Sequence, residues 1–239
     1  RLAEHTLHHS HPFIRHWTIR LLGDDHLMTP KLRQELVLLA ENESNPEVRS
    51  CLAASCKRWK AKDSIPILIQ LIGRKEDVKD KHIPLLIWWA IENKATSDRA
   101  EIIDLLNDKA LWKTAMMQQH LISRIGQRYT AQRTTDNLAT AAKLLALAPN
   151  DADKDLLVNG MEAGLKGNAV KNTPKALRAE LGKLWKSRPH TPKLISFATR
   201  LGLPEAMKEA VARVKDPKTS ANERRELTQL LSERRGADA

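Results

Sequence analysis

The chain has 239 residues, 41% hydrophobic and 29% charged, and 40 Lys and Arg against 29 Asp and Glu give a formal net charge of +11. That balance excludes a disordered polyelectrolyte and supports a sizeable core. No run of about 18 apolar residues occurs, so no membrane-spanning helix or membrane insertion is expected.

In chain order, a hydrophobic unit recurs every 34 to 35 residues through the first hundred, opening at Ile14-Arg15, Val48-Arg49 and Ile83-Pro84. Ile14 leads to Ile19, Leu21 and Leu22; Val48 to Leu52, Ala53 and Cys56; Ile83 to Ile87, Trp88, Ala90 and Ile91. This period is the signature of stacked helix pairs, each burying its apolar face against its neighbours. Helices are expected near residues 2–9, 12–22, 30–41, 46–60, 64–72, 81–92, 97–106, 109–128, 135–147, 151–165, 174–187, 192–201, 204–214 and 220–234. Strand signals are absent. Capping residues followed by proline mark several starts: Thr29-Pro30, Asn45-Pro46, Thr173-Pro174 and Thr191-Pro192. The period blurs after residue 109, and a bend is expected near 128–135.

The expected architecture is therefore all-α, a single right-handed α-solenoid of HEAT- or armadillo-like antiparallel pairs over 1–239. Leu36, Leu52, Leu68, Leu86, Trp88, Leu105 and Leu145 should be buried. Cys51 and Cys56 share one helix roughly 140° apart, awkward for a disulfide, and read as core packers. The chain opens on Arg1 directly into helical pattern, which reads as a piece of something longer.

Charge is uneven. Residues 1–120 hold 18 basic and 16 acidic side chains, and residues 121–239 hold 22 and 13. Within the tract from Lys166 to Arg200, Lys171, Lys175, Arg178, Lys183, Lys186 and Arg188 are the candidate contacts for an anionic partner. Four of them fall on one arc of the helix after Pro174, opposite Leu177, Leu181, Leu184 and Trp185. A solvated face is the plainest reading; an acidic protein partner ranks above nucleic acid. Trp88 and Trp89 invite comparison with base stacking, but their apolar surroundings read as core. His5 and His9 have i, i+4 spacing without a third metal ligand, and His82, His120 and His190 read as isolated. Asp151, Asp153 and Asp155 lack the glycine and glutamate of a calcium loop and suit a helix N-terminus. No catalytic motif is found, and no catalytic, cofactor or metal residue is assigned.

Two stretches, Pro12-Phe-Ile-Arg-His-Trp-Thr-Ile-Arg-Leu-Leu-Gly-Asp24 and Asp80-Lys-His-Ile-Pro-Leu-Leu-Ile-Trp-Trp-Ala90, resemble the HEAT-repeat region of bacterial PVC-type haem-binding-domain proteins, often described as membrane-bound dehydrogenase-like. The resemblance extends to Ala139–Gly167 and, loosely, to Phe197–Leu231. It implies a non-catalytic scaffold beside a propeller and a c-type cytochrome module of the same chain, with haem c carried there and not here. It also implies a periplasmic or otherwise exported location, with the cytoplasm left open. The alternatives are a general HEAT-repeat protein-binding adaptor and a DNA-binding HEAT-like protein of the DNA glycosylase type. From the last this chain departs because Ala90, not Asp, follows Trp88-Trp89.

Overall fold

The computed structural model describes residues 2–238, and all regular structure among them is helical. The first elements are α1 (Leu2–Thr6), α2 (Pro12–Asp24), α3 (Pro30–Asn42), α4 (Pro46–Cys56), α5 (Ala61–Gly73), α6 (Ile83–Lys94), α7 (Arg99–Leu105) and α8 (Lys109–Trp112). A π-helical turn at Met117–Leu121 precedes α9 (Ile122–Ala131) and α10 (Thr135–Leu147). Then come α11 (Asp151–Leu165), α12 (Lys175–Ser187), α13 (Pro192–Arg200), α14 (Pro204–Lys215) and α15 (Ala221–Asp238). None of these helices is long and apolar enough to cross a membrane.

Helix starts follow from local chemistry. Thr29, Asn45 and Thr191 turn their side-chain oxygens onto the amides of Leu32, of Glu47 and Val48, and of Leu194, each with proline next in line. Thr173 departs from this expectation: its hydroxyl donates to the Leu201 carbonyl at 2.7 Å, and α12 begins without a side-chain cap. The long helix expected over 109–128 is also broken. Trp112 Nε1 donates to the Leu106 carbonyl (2.8 Å), Gln118 Nε2 to the Trp112 carbonyl (2.7 Å), and Thr114 Oγ1 accepts from the Met117 amide (3.3 Å). Side chains thereby take backbone partners that a continuous helix would use itself.

The chain forms two compact units, Arg1–Leu121 and Ile122–Ala239. In the first, α2, α4 and α6 pack in succession, as do α3, α5 and α7. In the second, α9, α11, α13 and α15 form one succession, and α10 packs on α12. The segment 128–135, where a bend was expected, comprises the end of α9, a turn and the first residue of α10.

A clasp repeats at the sequence period. Arg15 grips the Glu43 carboxylate through two hydrogen bonds of 2.7 Å, while Nη1 donates to the carbonyls of His9 (2.8 Å) and Ser10 (3.0 Å). Arg49 does the same 34 residues later: it grips Asp77 at 2.7 and 2.5 Å and donates to the carbonyls of Glu43 (3.0 Å) and Ser44 (2.7 Å). Pro84 occupies the next arginine position and ends the series. Hydrogen bonds to these carboxylates push both guanidinium pKa values up. Burial pushes the Glu43 carboxyl up, but hydrogen bonds from Arg15 and the Asn45 amide outweigh it and hold the group below the usual carboxylate range.

Leu36, Leu52, Leu68, Leu105 and Leu145 are buried, whereas Leu86 and Trp88, expected in the core, are half-buried. Cys51 and Cys56 are buried free thiols, pushed by burial to about 11 and about 12, which leaves them unreactive at neutral pH. In the second unit α9 and α11 meet at glycines. A Cβ added at Gly160 would lie 1.8 Å from the Ser123 carbonyl oxygen, and one at Gly126 would lie 2.7 Å from that of Leu157. At Gly164 it would lie 2.3 Å from Thr130 Oγ1, which itself donates to the Met161 carbonyl at 2.9 Å.

Candidate functional site

Two surfaces carry the exposed chemistry, one in each unit. In the second unit α12 turns Leu177, Leu181, Leu184 and Trp185 inward, and this leaves Lys175, Arg178, Lys183 and Lys186 exposed on its other side. Lys171 is exposed on the preceding turn. Lys183 pairs with Glu180 at 2.6 Å; Lys175, Arg178 and Lys186 form no ion pair with any described residue. Ala179 and Gly182 lie between the cations along the helix.

Arg188 does not belong with this set. Its side chain is 8% exposed, held by the Asp155 carboxylate at 2.9 Å and the Asp151 carbonyl at 3.0 Å. Its charge ties the end of α12 to the start of α11 and is not offered outward. Asp151 also pairs with Lys154 (3.3 Å), and Asp153 is buried against Asn150, whose Oδ1 caps α11. The three aspartates thus serve one helix start.

In the first unit, Phe13, Trp17 and Leu21 form a stripe at four-residue spacing along α2, 65%, 57% and 56% exposed. Together with Leu2 and Leu27 they line an apolar groove of about 480 Å³, with Asp25 at one end. Ile14 and Leu21, members of the first apolar unit read from the sequence, are both exposed, and α2 buries Thr18, Ile19, Leu22 and Gly23 instead. Helical periodicity marks residues as apolar without saying whether a neighbour covers them. The available signal was the width of the stripe, since Phe13, Trp17 and Leu21 extend the apolar arc beyond what α4 alone can cover.

The Trp88-Trp89 pair is not a buried core element. Trp89 is 43% exposed and Leu85 is also exposed. His5 lies exposed, and His9 Nδ1 accepts the His11 amide at 3.0 Å. Among the described residues no group of three or more His, Cys, Asp or Glu is placed to hold a metal ion. His120 and His190 are not isolated: His120 Nε2 lies 2.8 Å from the Val78 carbonyl, and the His190 ring stacks on Trp185 at 3.7 Å. His190 Nδ1 meets Glu209 at 2.5 Å and Nε2 the Trp185 carbonyl at 2.8 Å, a link between α12 and α14 that sequence spacing could not reveal.

Comparison of the chain with protein-family models, curated proteins and solved structures finds no match.

Proposed function

We propose that the chain is a HEAT-type α-solenoid that acts as a non-catalytic protein-interaction scaffold. The observation that carries the reading is the clasp. Arg15 with Glu43 and Arg49 with Asp77 repeat one geometry at an offset of 34 residues, tying each repeat to the next. Next-but-one packing of α2, α4 and α6 supports the same reading, because each helix in such a stack contacts only near neighbours. A stack of this kind offers extended faces to partners, and the open groove on α2 is such a face.

On its resemblance to PVC-type haem-binding-domain proteins, we propose further that this scaffold sits beside a propeller and a c-type cytochrome module in an exported chain. The test begins with the gene beyond Ala239. A Cys-x-x-Cys-His motif downstream, together with saturable binding of the separately purified haem module to this chain, supports the proposal. A gene without that motif, or a haem module that does not bind, removes the haem parent and leaves an adaptor for other proteins.

A second reading, an anionic partner bound through α12, is favoured by the free charges of Lys175, Arg178 and Lys186. Duplex DNA titrated across a salt series separates the possibilities. A steep salt slope abolished by reversing these three charges moves the assignment to nucleic acid. Release of a base from damaged duplex would make the chain an enzyme and overturn the scaffold.

A further inference from the structure

The repeat offset identifies what the α2 groove is built to receive. Along α4 and the turn that follows it, three residues spaced by four reach back to backbone carbonyls of α2: Cys51 Sγ to His16 (3.4 Å), Ser55 Oγ to Ile19 (3.5 Å) and Trp59 Nε1 to Leu22 (3.2 Å). On α6 the residue equivalent to Trp59 is Lys94, which donates to the Cys56 carbonyl of α4 at 2.7 Å. The same position thus contacts the same end of the preceding helix twice. Moving back 34 residues from Cys51, Ser55 and Trp59 gives Trp17, Leu21 and Asp25. These three line the open groove. The groove therefore continues an interface already made twice within this unit.

We infer that the groove docks an amphipathic α-helix in the register that α2 itself takes on α4, and that this helix carries a Lys or Arg in its last turn. The basic residue follows from charge complementarity. Trp59 and Lys94 are donors that satisfy the C-terminal carbonyls of the helix beneath them, whereas Asp25 at the equivalent position offers only an acceptor. Facing the negative end of a docked helix, the Asp25 carboxylate needs a cation between itself and those carbonyls, and a basic last turn supplies it. Asp25 is exposed and forms no ion pair with any described residue. The apolar face of the partner covers Phe13, Trp17 and Leu21, large side chains of the kind that anchor helix-in-groove complexes.

This inference rests on the scaffold reading and names the partner class of its groove. The probe is a stapled amphipathic helix with a Leu/Ala face and two lysines in its last turn, compared with a twin bearing glutamates there. Both are titrated into the full chain, with circular dichroism confirming that each variant stays folded. The lysine-ended helix should bind the wild type, lose about tenfold in affinity on Leu21→Asp, and lose about threefold on Asp25→Lys, as for an exposed ion pair. The glutamate-ended twin should bind more weakly than the lysine helix and recover on Asp25→Lys. Binding of neither helix, binding indifferent to Leu21→Asp, or equal affinity for the two helices would overturn the inference. So would self-association of the chain abolished by Leu21→Asp, which would make a second copy the occupant. Binding of the haem module that survives Leu21→Asp would leave the scaffold reading standing and refute only this use of the groove.

Discussion

Gly160→Ala adds one methyl group where α9 and α11 touch. The new carbon would sit 1.8 Å from the Ser123 carbonyl oxygen, 2.6 Å from the Ser123 carbonyl carbon and 2.9 Å from its Cα, all backbone atoms that no rotamer change can move. Restoring an ordinary carbon–oxygen contact of about 3.3 Å requires the two helices to part by roughly 1.5 Å. Overpacking of that kind costs about 1–3 kcal/mol or more, and it also breaks the fit around the buried Leu157 and Met161. Alanine recovers about 1 kcal/mol of helix propensity over glycine. A 1.8 Å contact with rigid backbone sits at the upper end of that range, so the net expectation is a loss of about 2 kcal/mol. Gly182, inside α12, is the internal control, because an added Cβ there meets nothing within 4 Å. Gly182→Ala should therefore stabilise by about 0.5–1 kcal/mol. Urea denaturation of the full chain followed by circular dichroism reads both. Opposite signs are required, and a neutral or stabilising Gly160→Ala would refute the close-contact account.

Three further outcomes follow from named contacts. Asp77→Ala should cost about 3–5 kcal/mol, since the Arg49–Asp77 pair is buried on both sides and the arginine would lose its partner; denaturation midpoints check it. The first unit should lose stability in acid. Glu43 and Asp80 are held below their ordinary values of 4.5 and 3.8, in Asp80 because amide bonds from Ile83 and His82 outweigh burial. A depressed carboxylate pKa gives stability that is complete above the unfolded value and lost as pH falls through the folded one, so melting curves from pH 6 down to 2 should show the fall, and Glu43→Gln should flatten it. Lys94 works in the opposite sense. Burial pushes its pKa down, so the unfolded chain binds the proton more tightly and this group's contribution rises with pH up to its ordinary value of 10.5, a slope that Lys94→Met should remove.

Much of this fold could be read in advance, for reasons that particular residues make plain. Thr29, Asn45 and Thr191 fix helix starts because their capping bonds are local, and the 34-residue spacing of Arg15 and Arg49 marks the repeat before any contact is known. Thr173 looked identical to those caps, but its hydroxyl found the Leu201 carbonyl, a partner distant in sequence. Gly160-Met-Glu-Ala-Gly164 sets two glycines one turn apart, but only the partner helix reveals that the pair is a contact, so nothing local pointed to it. The two candidate surfaces differ in the same way. Lys175, Arg178, Lys183 and Lys186 were found because cations on a helix opposite leucines face water, whatever surrounds them. Phe13, Trp17 and Leu21 were missed because an apolar side chain is buried only if something covers it.

If the first unit is a succession of interchangeable repeats joined by the clasp, as proposed, it should accept one more. A duplicate of residues 46–79 inserted after Lys79 preserves the 28-residue separation between each arginine and its acid. The inserted residues should fold as one more helix pair, with helicity per residue unchanged by circular dichroism and the insert resistant to limited proteolysis. A drop in helicity per residue, with cleavage confined to the insert, would contradict it.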